Sequence, residues 1–336
     1  MPQSLVLHLV AQSLISQQFL QGFAPQQLFF DLVDEVDPAL GNVLRRDQQN
    51  RAYSLSALQV ATYAQPSQPL AHTRQQNRPV VSPGNLRLFA AKKHNSALQF
   101  FHSQAIAPHT RCWWRITFLD DELFDHLIFL WNHLSGERFQ IGDGAVTVAN
   151  VVANMSQAPV PIANLPGTDW ADSCSYQNLY SNASTHEKDI HIQFVTPTTF
   201  KEGTSLSPMP TASTVFHSLR KCWNRYSGLA FAPSLIKNIV PLKFDIKTQE
   251  FKLARAMGLL PGLVTGCIGQ VSFRILESDP LTTKHINTLA DFSRYCGLGY
   301  GTPVGMGTVR RLNRTSERSY RAKAQSKVQS KVRSKA

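Results

Sequence analysis

At the start of the chain Leu5, Leu7 and Leu9 alternate with Val6, His8 and Val10, a strand with both faces largely apolar. The pattern that follows it narrows the fold class more than any other feature. Ala24 to Leu44 sets Leu28, Leu32, Val36 and Leu40 at helical spacing, with Pro25 suited to the first turn and Pro38 ending or kinking the helix. Tyr53 to Leu58 reads as a short strand, Arg111 to Leu119 as a strong one, Asp121 to Leu134 as a helix, and Phe139 to Val152 as a strand pair about Gly142 and Gly144. The order is strand-helix-strand-strand-helix-strand, interrupted by a Gln-, Pro-, Ser- and Arg-rich insertion over 61–110 with some strand around Asn85 to Phe101.

After a Pro-rich linker at 155–170 the rhythm returns. Strands are expected at Ile190 to Phe194, Phe251 to Ala256, Gly266 to Leu276 and Thr308 to Leu312. Helices are expected at Ser213 to Ser227 and from a cap at Thr282 or Thr283 through Tyr295. The expected fold is α+β: two tandem ferredoxin-like (RRM-like, βαββαβ) domains at 1–154 and 171–312, then a basic low-complexity tail at 313–336. The tail repeats Lys323-Ala-Gln-Ser, Lys327-Val-Gln-Ser and Lys331-Val-Arg-Ser, too polar to build a core.

The formal charge is +12, and its distribution matters more than its size. From Arg310 onward there are ten Lys or Arg and one acid, Glu317, so +9 lies there and +3 on residues 1–309. Such a chain suits a polyanion partner, nucleic acid or an acidic membrane. No apolar run is long enough to span a bilayer, and Met1 to Val10 has no basic stretch ahead of its apolar residues, so a cytoplasmic protein is expected. The five cysteines stand far apart without a CxxC pair, which argues for core thiols and against a zinc site or disulfide framework.

Gly297-Leu-Gly-Tyr-Gly-Thr-Pro-Val-Gly-Met-Gly307 has the form G-h-G, five residues, G-h-G, with Arg310 and Arg311 close behind. Gly297, Gly299, Gly301, Gly305 and Gly307 allow φ > 0 and a close backbone approach to a phosphate; the plain alternative is a tight turn after a helix. It is not a Walker A loop, since no Gly-Lys-Ser/Thr follows, and no strand precedes it as a dinucleotide fingerprint requires. Placed between the last helix and last strand of a second ferredoxin-like unit, it resembles the carboxy-terminal motif of the CRISPR repeat-RNA processing endoribonucleases, the sixth Cas family of RAMP proteins. Cys112-Trp-Trp-Arg-Ile-Thr-Phe-Leu-Asp-Asp121, Phe194-Val-Thr-Pro-Thr-Thr-Phe200, Val215-Phe-His-Ser-Leu219, Trp223-Asn-Arg-Tyr226 and Tyr53-Ser-Leu-Ser-Ala-Leu58 look most like cyanobacterial members.

The resemblance spans roughly residues 5–312. It implies an enzyme that binds the repeat in CRISPR precursor RNA and cuts it without metal or cofactor. The 2′-OH attacks the adjacent phosphate, giving 2′,3′-cyclic phosphate and 5′-OH ends. It implies contact with the RNA by the five glycines of the motif and by Arg310 and Arg311, a monomer or homodimer, and service to a CRISPR effector complex. Many members carry a catalytic His after the first helix. Here that place reads Val43-Leu44-Arg45-Arg46-Asp47. Arginine stays protonated, so Arg45, Arg46 and Arg51 are candidates for holding the phosphate and not for moving its proton. Tyr53 or His102 is left for the proton, with His94 next. Tyr53 is alternatively a core aromatic, His8 a core residue, and the arginines a solvated loop. His126 and His133 share a helix face without a third metal ligand. The competing expectation is a repeat-RNA-binding effector subunit that has lost cleavage along with its His. A third is a basic structural protein held on nucleic acid by its tail, which leaves the glycine motif unexplained.

Overall fold

The computed structural model describes residues 1–46, 52–61, 98–124, 127, 131–153, 165–253, 262–276 and 279–312. The expectations for Arg51, His94, His126, most of the 61–110 insertion and the 313–336 tail lie outside the described residues.

In the first half, β1 (Gln3–Ala11) pairs on one side with β4 (Arg111–Phe118), which in turn pairs with β2 (Tyr53–Leu55) and β3 (Gln59–Val60). On its other side it pairs with β6 (Gly144–Val152), which carries β5 (Arg138–Ile141), and at its start with β7 (Asp172–Ser173). The main order is β2-β4-β1-β6-β5, the ferredoxin-like arrangement. Leu5, Leu7 and Leu9 face the helices and are buried with Trp114, Ile116 and Phe118 of β4. Helix α1 (Phe23–Val36) covers them with Leu28, Phe29, Leu32 and Val33. Pro38, which has no N–H to continue that ladder, begins α2 (Pro38–Arg46), and Asp37 caps the new helix by accepting from the Leu40 N–H at 2.9 Å. A further helix begins at α3 (Asp121–Phe124), and Phe124, Leu127 and Trp131 close this core.

After α4 (Tyr176–Asn182), the second half runs β8 (Asp189–Thr198), the hairpin β9 (Phe200–Glu202) and β10 (Ser205–Ser207), α5 (Ala212–Tyr226), β11 (Ile239–Leu253), β12 (Gly262–Ile275), α6 (Pro280–Cys296) and β13 (Val309–Leu312). Its sheet order, β11-β12-β8-β13, is the same arrangement again. Two expectations need correction. Of the strand expected at Phe251 to Ala256, the described part, Phe251 to Leu253, is the end of β11, which starts at Ile239. Pro241 disguises that start, and is tolerated because β11 is an edge strand whose register slips between Pro241 and Lys243. Helix α6 is capped by Asp279, whose carboxylate accepts from the N–H groups of Leu281 and Thr282; Thr283, proposed as a cap, is a buried residue of the first turn.

The non-helical face of the first sheet carries Val6, Trp113 and Val152, and Trp170 and Ala171 pack on it. His8 on the same face reaches the Pro166 carbonyl from Nε2 at 3.0 Å. Chain 165–171 is thus laid against the sheet surface that ferredoxin-like domains often leave open, before β7 joins the sheet beside the start of β1.

Candidate nucleic-acid interface

Helix α6 stops where Gly297 takes φ 68° and donates its N–H to the Ser293 carbonyl at 3.0 Å. The loop beyond is bonded to the end of β8. Tyr300 N–H donates to Thr199 O (2.7 Å), Gly307 N–H to Pro197 O (3.0 Å), and Thr308 N–H to the Thr196 hydroxyl (2.9 Å). The Thr-Pro-Thr-Thr stretch and the glycine motif are therefore two sides of one structure. Within the loop, the Gly301 carbonyl accepts from the N–H groups of Val304 (3.0 Å) and Met306 (3.2 Å), closing a tight turn.

All five glycines have positive φ, Gly301 at 84°. A Cβ at Gly299 would run into the Thr199 carbonyl oxygen, one at Gly307 into that of Leu298, and one at Gly301 into the Met306 sulfur. The need for glycine is thus met inside the protein, whereas the motif alone suggested approach to a ligand. Gly297, Gly301, Gly305 and Gly307, all expected at the RNA, are buried, because their backbone turns inward onto β8 and onto the loop itself. Gly299, Tyr300 and Thr302 are the partly accessible residues between Gly297 and Gly307, and of the five glycines Gly299 alone reaches the surface.

The loop also docks on the first domain. Val304 O accepts from the Gly22 N–H at the start of α1 (3.2 Å), and Gly305 lies against Ser56 and Ala57 after β2. Phe100 packs with Val304, Met306, Phe251 and Val264, joining the end of the insertion to the loop and to the long hairpin. His102 follows directly. It is buried, and its Nε2 has no hydrogen-bond partner. Burial lowers its pKa from the usual 6.5, against an opposing contact with the Leu58 backbone, so the ring is neutral at pH 7.

The candidate cations divide sharply. Arg45 is gripped by both oxygens of Asp34 and lies 4.7 Å from the Phe30 ring centroid; the Asp34 hydrogen bond raises its pKa. Arg46, at the end of α2, is exposed. Tyr53 is a core residue, stacked on Phe29 at 4.4 Å, with its hydroxyl accepting from Gln26 at 3.2 Å. Arg311 turns to the helix side, where it pairs with Glu187 and Asp291, both at 2.8 Å, and with Asn287. Arg310 turns the other way and lies 3.8 Å over the Trp170 ring. Arg45 and Tyr53 thus meet around Phe30, and the glycine loop meets the segment that carries His102.

Sequence reasoning missed Arg115, Arg294 and Trp170. Arg115, fully buried, donates from Nε to the Ser4 hydroxyl (2.8 Å) and from Nη2 to the Arg294 carbonyl (2.5 Å), and lies 5.3 Å from Trp170. Burial, reinforced by Arg294 and Arg310, pushes its pKa down to about 9. The signal was an arginine amid the Trp113-Trp114 strand, where an unpaired charge has no ordinary place. Among the described residues no cluster of three or more His, Cys, Asp or Glu is placed to hold a metal, and no helix is long and apolar enough to cross a membrane. The five cysteines are free thiols.

Two family models match the chain: the CRISPR Cas6 N-terminal domain over residues 1–181 and the CRISPR-associated endoribonuclease Cas6 over residues 192–309. No curated protein matches it. Among solved structures, the product complex of Cas6 (TTHB231) is 19% identical with a TM-score of 0.65, covering 93% of this chain and 100% of that one. Thermus thermophilus Cas6 (TTHB231) is 19% identical at 0.59 over 93% and 98% of the two chains. The product complex of Cas6 (TTHA0078) is 18% identical at 0.59 over 93% and 99%. At such identities the likeness is one of fold, and it runs through both ferredoxin-like halves. With its N-terminal half and its glycine-motif half each matched, the chain belongs to the Cas6 family of CRISPR-associated endoribonucleases.

Proposed function

We propose that the protein binds the repeat of CRISPR precursor RNA and cuts it once per repeat by 2′-OH attack on the adjacent phosphate, leaving 2′,3′-cyclic phosphate and 5′-OH ends. The observation that carries this is the family match across both halves, joined by a glycine loop docked on α1 and β2. Structures of the same fold are held with product and with a substrate mimic. The step needs a base at the 2′-OH, an acid at the leaving oxygen, and positive charge beside the phosphorane. In this reading Arg46 supplies the charge, and Arg45, fixed by Asp34, orients the end of α2 that carries it. His102 takes the proton: its imidazole is neutral and its Nε2 is unengaged. Arg310 holds RNA backbone next to the glycine loop. Tyr53 acts from the core by shaping the wall behind Arg45.

A second reading has its own observation. With Arg45 held by Asp34, and both Tyr53 and His102 buried, three of the five candidates are committed within the protein or withdrawn from solvent, which suits a repeat-RNA-binding subunit without cleavage. Incubating purified protein with repeat RNA in EDTA separates the two: a single cut with a cyclic-phosphate end supports the enzyme, and tight binding without a cut supports the binding subunit.

A further inference from the structure

The second sheet carries its helices on one face, and its other face is polar. Register aligns Arg310 on β13, Gln193 on β8, Gln270 on β12 and Asp245 on β11 in one row across all four strands. The parallel row beside it is Leu312, His191, Ser272 and Lys243, with His191 Nδ1 and the Ser272 hydroxyl 2.8 Å apart. Cover falls off along each row. Arg310 lies against Trp170 and Leu312 is buried, whereas Asp245 and Lys243 at the other ends are exposed.

Between these ends is a groove of about 480 Å³ lined by Gln193, Asp245, Lys247, Gln249, Ile268 and Gln270. Small-molecule sites span about 300–1,000 Å³, so a single ring fits. Gly269 makes the groove. Its φ of 135° bends β12, the register to β8 slips between Cys267 and Gly269, and a Cβ there would strike the Asp245 backbone. The bend leaves Ile268 as an apolar floor.

The polar groups are unusual for a bare strand surface. Gln270 Nε2 is buried and has no hydrogen-bond partner. A buried amide donor is destabilising until an acceptor arrives. Asp245 presents acceptors only and forms no ion pair among the described residues. An amide donor and a carboxylate around an apolar floor suit a flat ring bearing an exocyclic amino group beside a ring acceptor. Cytosine and adenine have both. Uracil would turn a carbonyl toward Asp245.

We propose that this groove takes one unpaired, amino-bearing base of the bound RNA and refuses uracil, while Arg310, about 14 Å along the row at three strand spacings, holds a nearby phosphate. The proposal rests on the RNA-processing reading above and adds to it a position at which sequence is read.

Fluorescence anisotropy with the intact chain and short single-stranded oligo(rC) and oligo(rU) tests it. These two pyrimidines differ at the groups the groove would read. The expected result is tighter binding of oligo(rC) by about 5- to 150-fold, the range of one well-made base contact. Gln270→Leu should bring oligo(rC) down toward oligo(rU). Asp245→Asn, on the exposed edge where folding is not at stake, should raise oligo(rU) affinity. Arg310→Ala should weaken both equally. Equal affinities in the unaltered protein, or a preference that survives both groove substitutions, would overturn the proposal. If repeat RNA is still cut in EDTA, that result removes the groove alone. A protein that neither cuts repeat RNA nor binds any RNA removes the functional reading and the groove with it.

Discussion

Side chains alternate along β13, so Arg310 and Arg311 leave the sheet on opposite faces and meet different chemistry. Arg311, 8% exposed, holds Glu187 and Asp291 together at the helix side. Arg311→Ala should lower unfolding stability by an amount at the lower end of about 3–5 kcal/mol, since both carboxylates stay about a third exposed; chemical denaturation measures this. Arg310→Ala should leave stability nearly intact and reduce the log–log salt slope of RNA binding by about 0.7, the single-strand figure for one phosphate contact. A like contrast holds on α2. Arg46→Ala should slow single-turnover cleavage about 10²- to 10³-fold with modest loss of affinity, and Arg46→Lys should recover part of that rate, restoring charge without the planar fork. Wild-type rates in the Arg46→Ala variant would move the phosphorane contact elsewhere.

The glycine loop behaves as one element with the end of β8, and substitution within it acts first on folding. Gly299→Ala should reduce the melting temperature measurably, because the new Cβ meets the Thr199 carbonyl and the residue sits at φ 76°. An unchanged melting temperature would show that the loop yields locally. Much at this scale could be read in advance. The alternation of Leu5, Leu7 and Leu9, the spacing of Val215, Leu219 and Trp223, and the strands Arg111–Phe118 and Val309–Leu312 followed from periodicity, because each of these elements buries a face. What stayed hidden had no such face. From Leu242 to Glu250, β11 stands largely clear of the core; Lys243 to Lys247 alternates polar and apolar as a strand does, but Pro241 ahead of it and the polar Thr248-Gln249-Glu250 behind it masked so short a signal. The cap of α6 was misplaced by three or four residues because Asp279, Thr282 and Thr283 are all good caps, and only the backbone geometry selects among them. The inward turn of Gly301 and Gly305 was hidden for a related reason: glycine spacing reports a need for positive φ and not which surface imposes it. The roles of Arg45 and Arg311 were equally unreadable, since Arg45 depends on how α2 folds back on Asp34 of α1, and Arg311 on Glu187 brought from far along the chain.

At the scale of the whole molecule, two buried histidines, His8 and His102, set a pH limit on stability. His8 meets the Pro166 carbonyl and His102 lies beside Leu58; burial lowers the pKa of both rings from 6.5. Below about 6.5 the unfolded chain binds protons that the folded chain resists, so stability is full above that value and declines as pH falls toward the folded pKa values. Thermal melts between pH 7.5 and 5 should show this decline, and His8→Gln, which keeps a donor but does not titrate, should reduce its slope by as much as one proton. The charge distribution imposes a separate division of labour. Since +9 of the +12 lies from Arg310 onward, mostly as Lys and Arg in a repetitive segment, it suits phosphates and not base edges. Base reading, by contrast, is assigned to a rigid sheet face. Removing residues 315–336 should therefore flatten the salt dependence of RNA binding by about 0.7 for each phosphate no longer neutralised, and weaken scrambled and cognate repeats alike. The ratio of cognate to scrambled affinity should stay constant across the same salt series. If scrambled RNA keeps its full affinity without the tail, the positive charge serves another acidic surface, and the folded domains bind repeat RNA on their own.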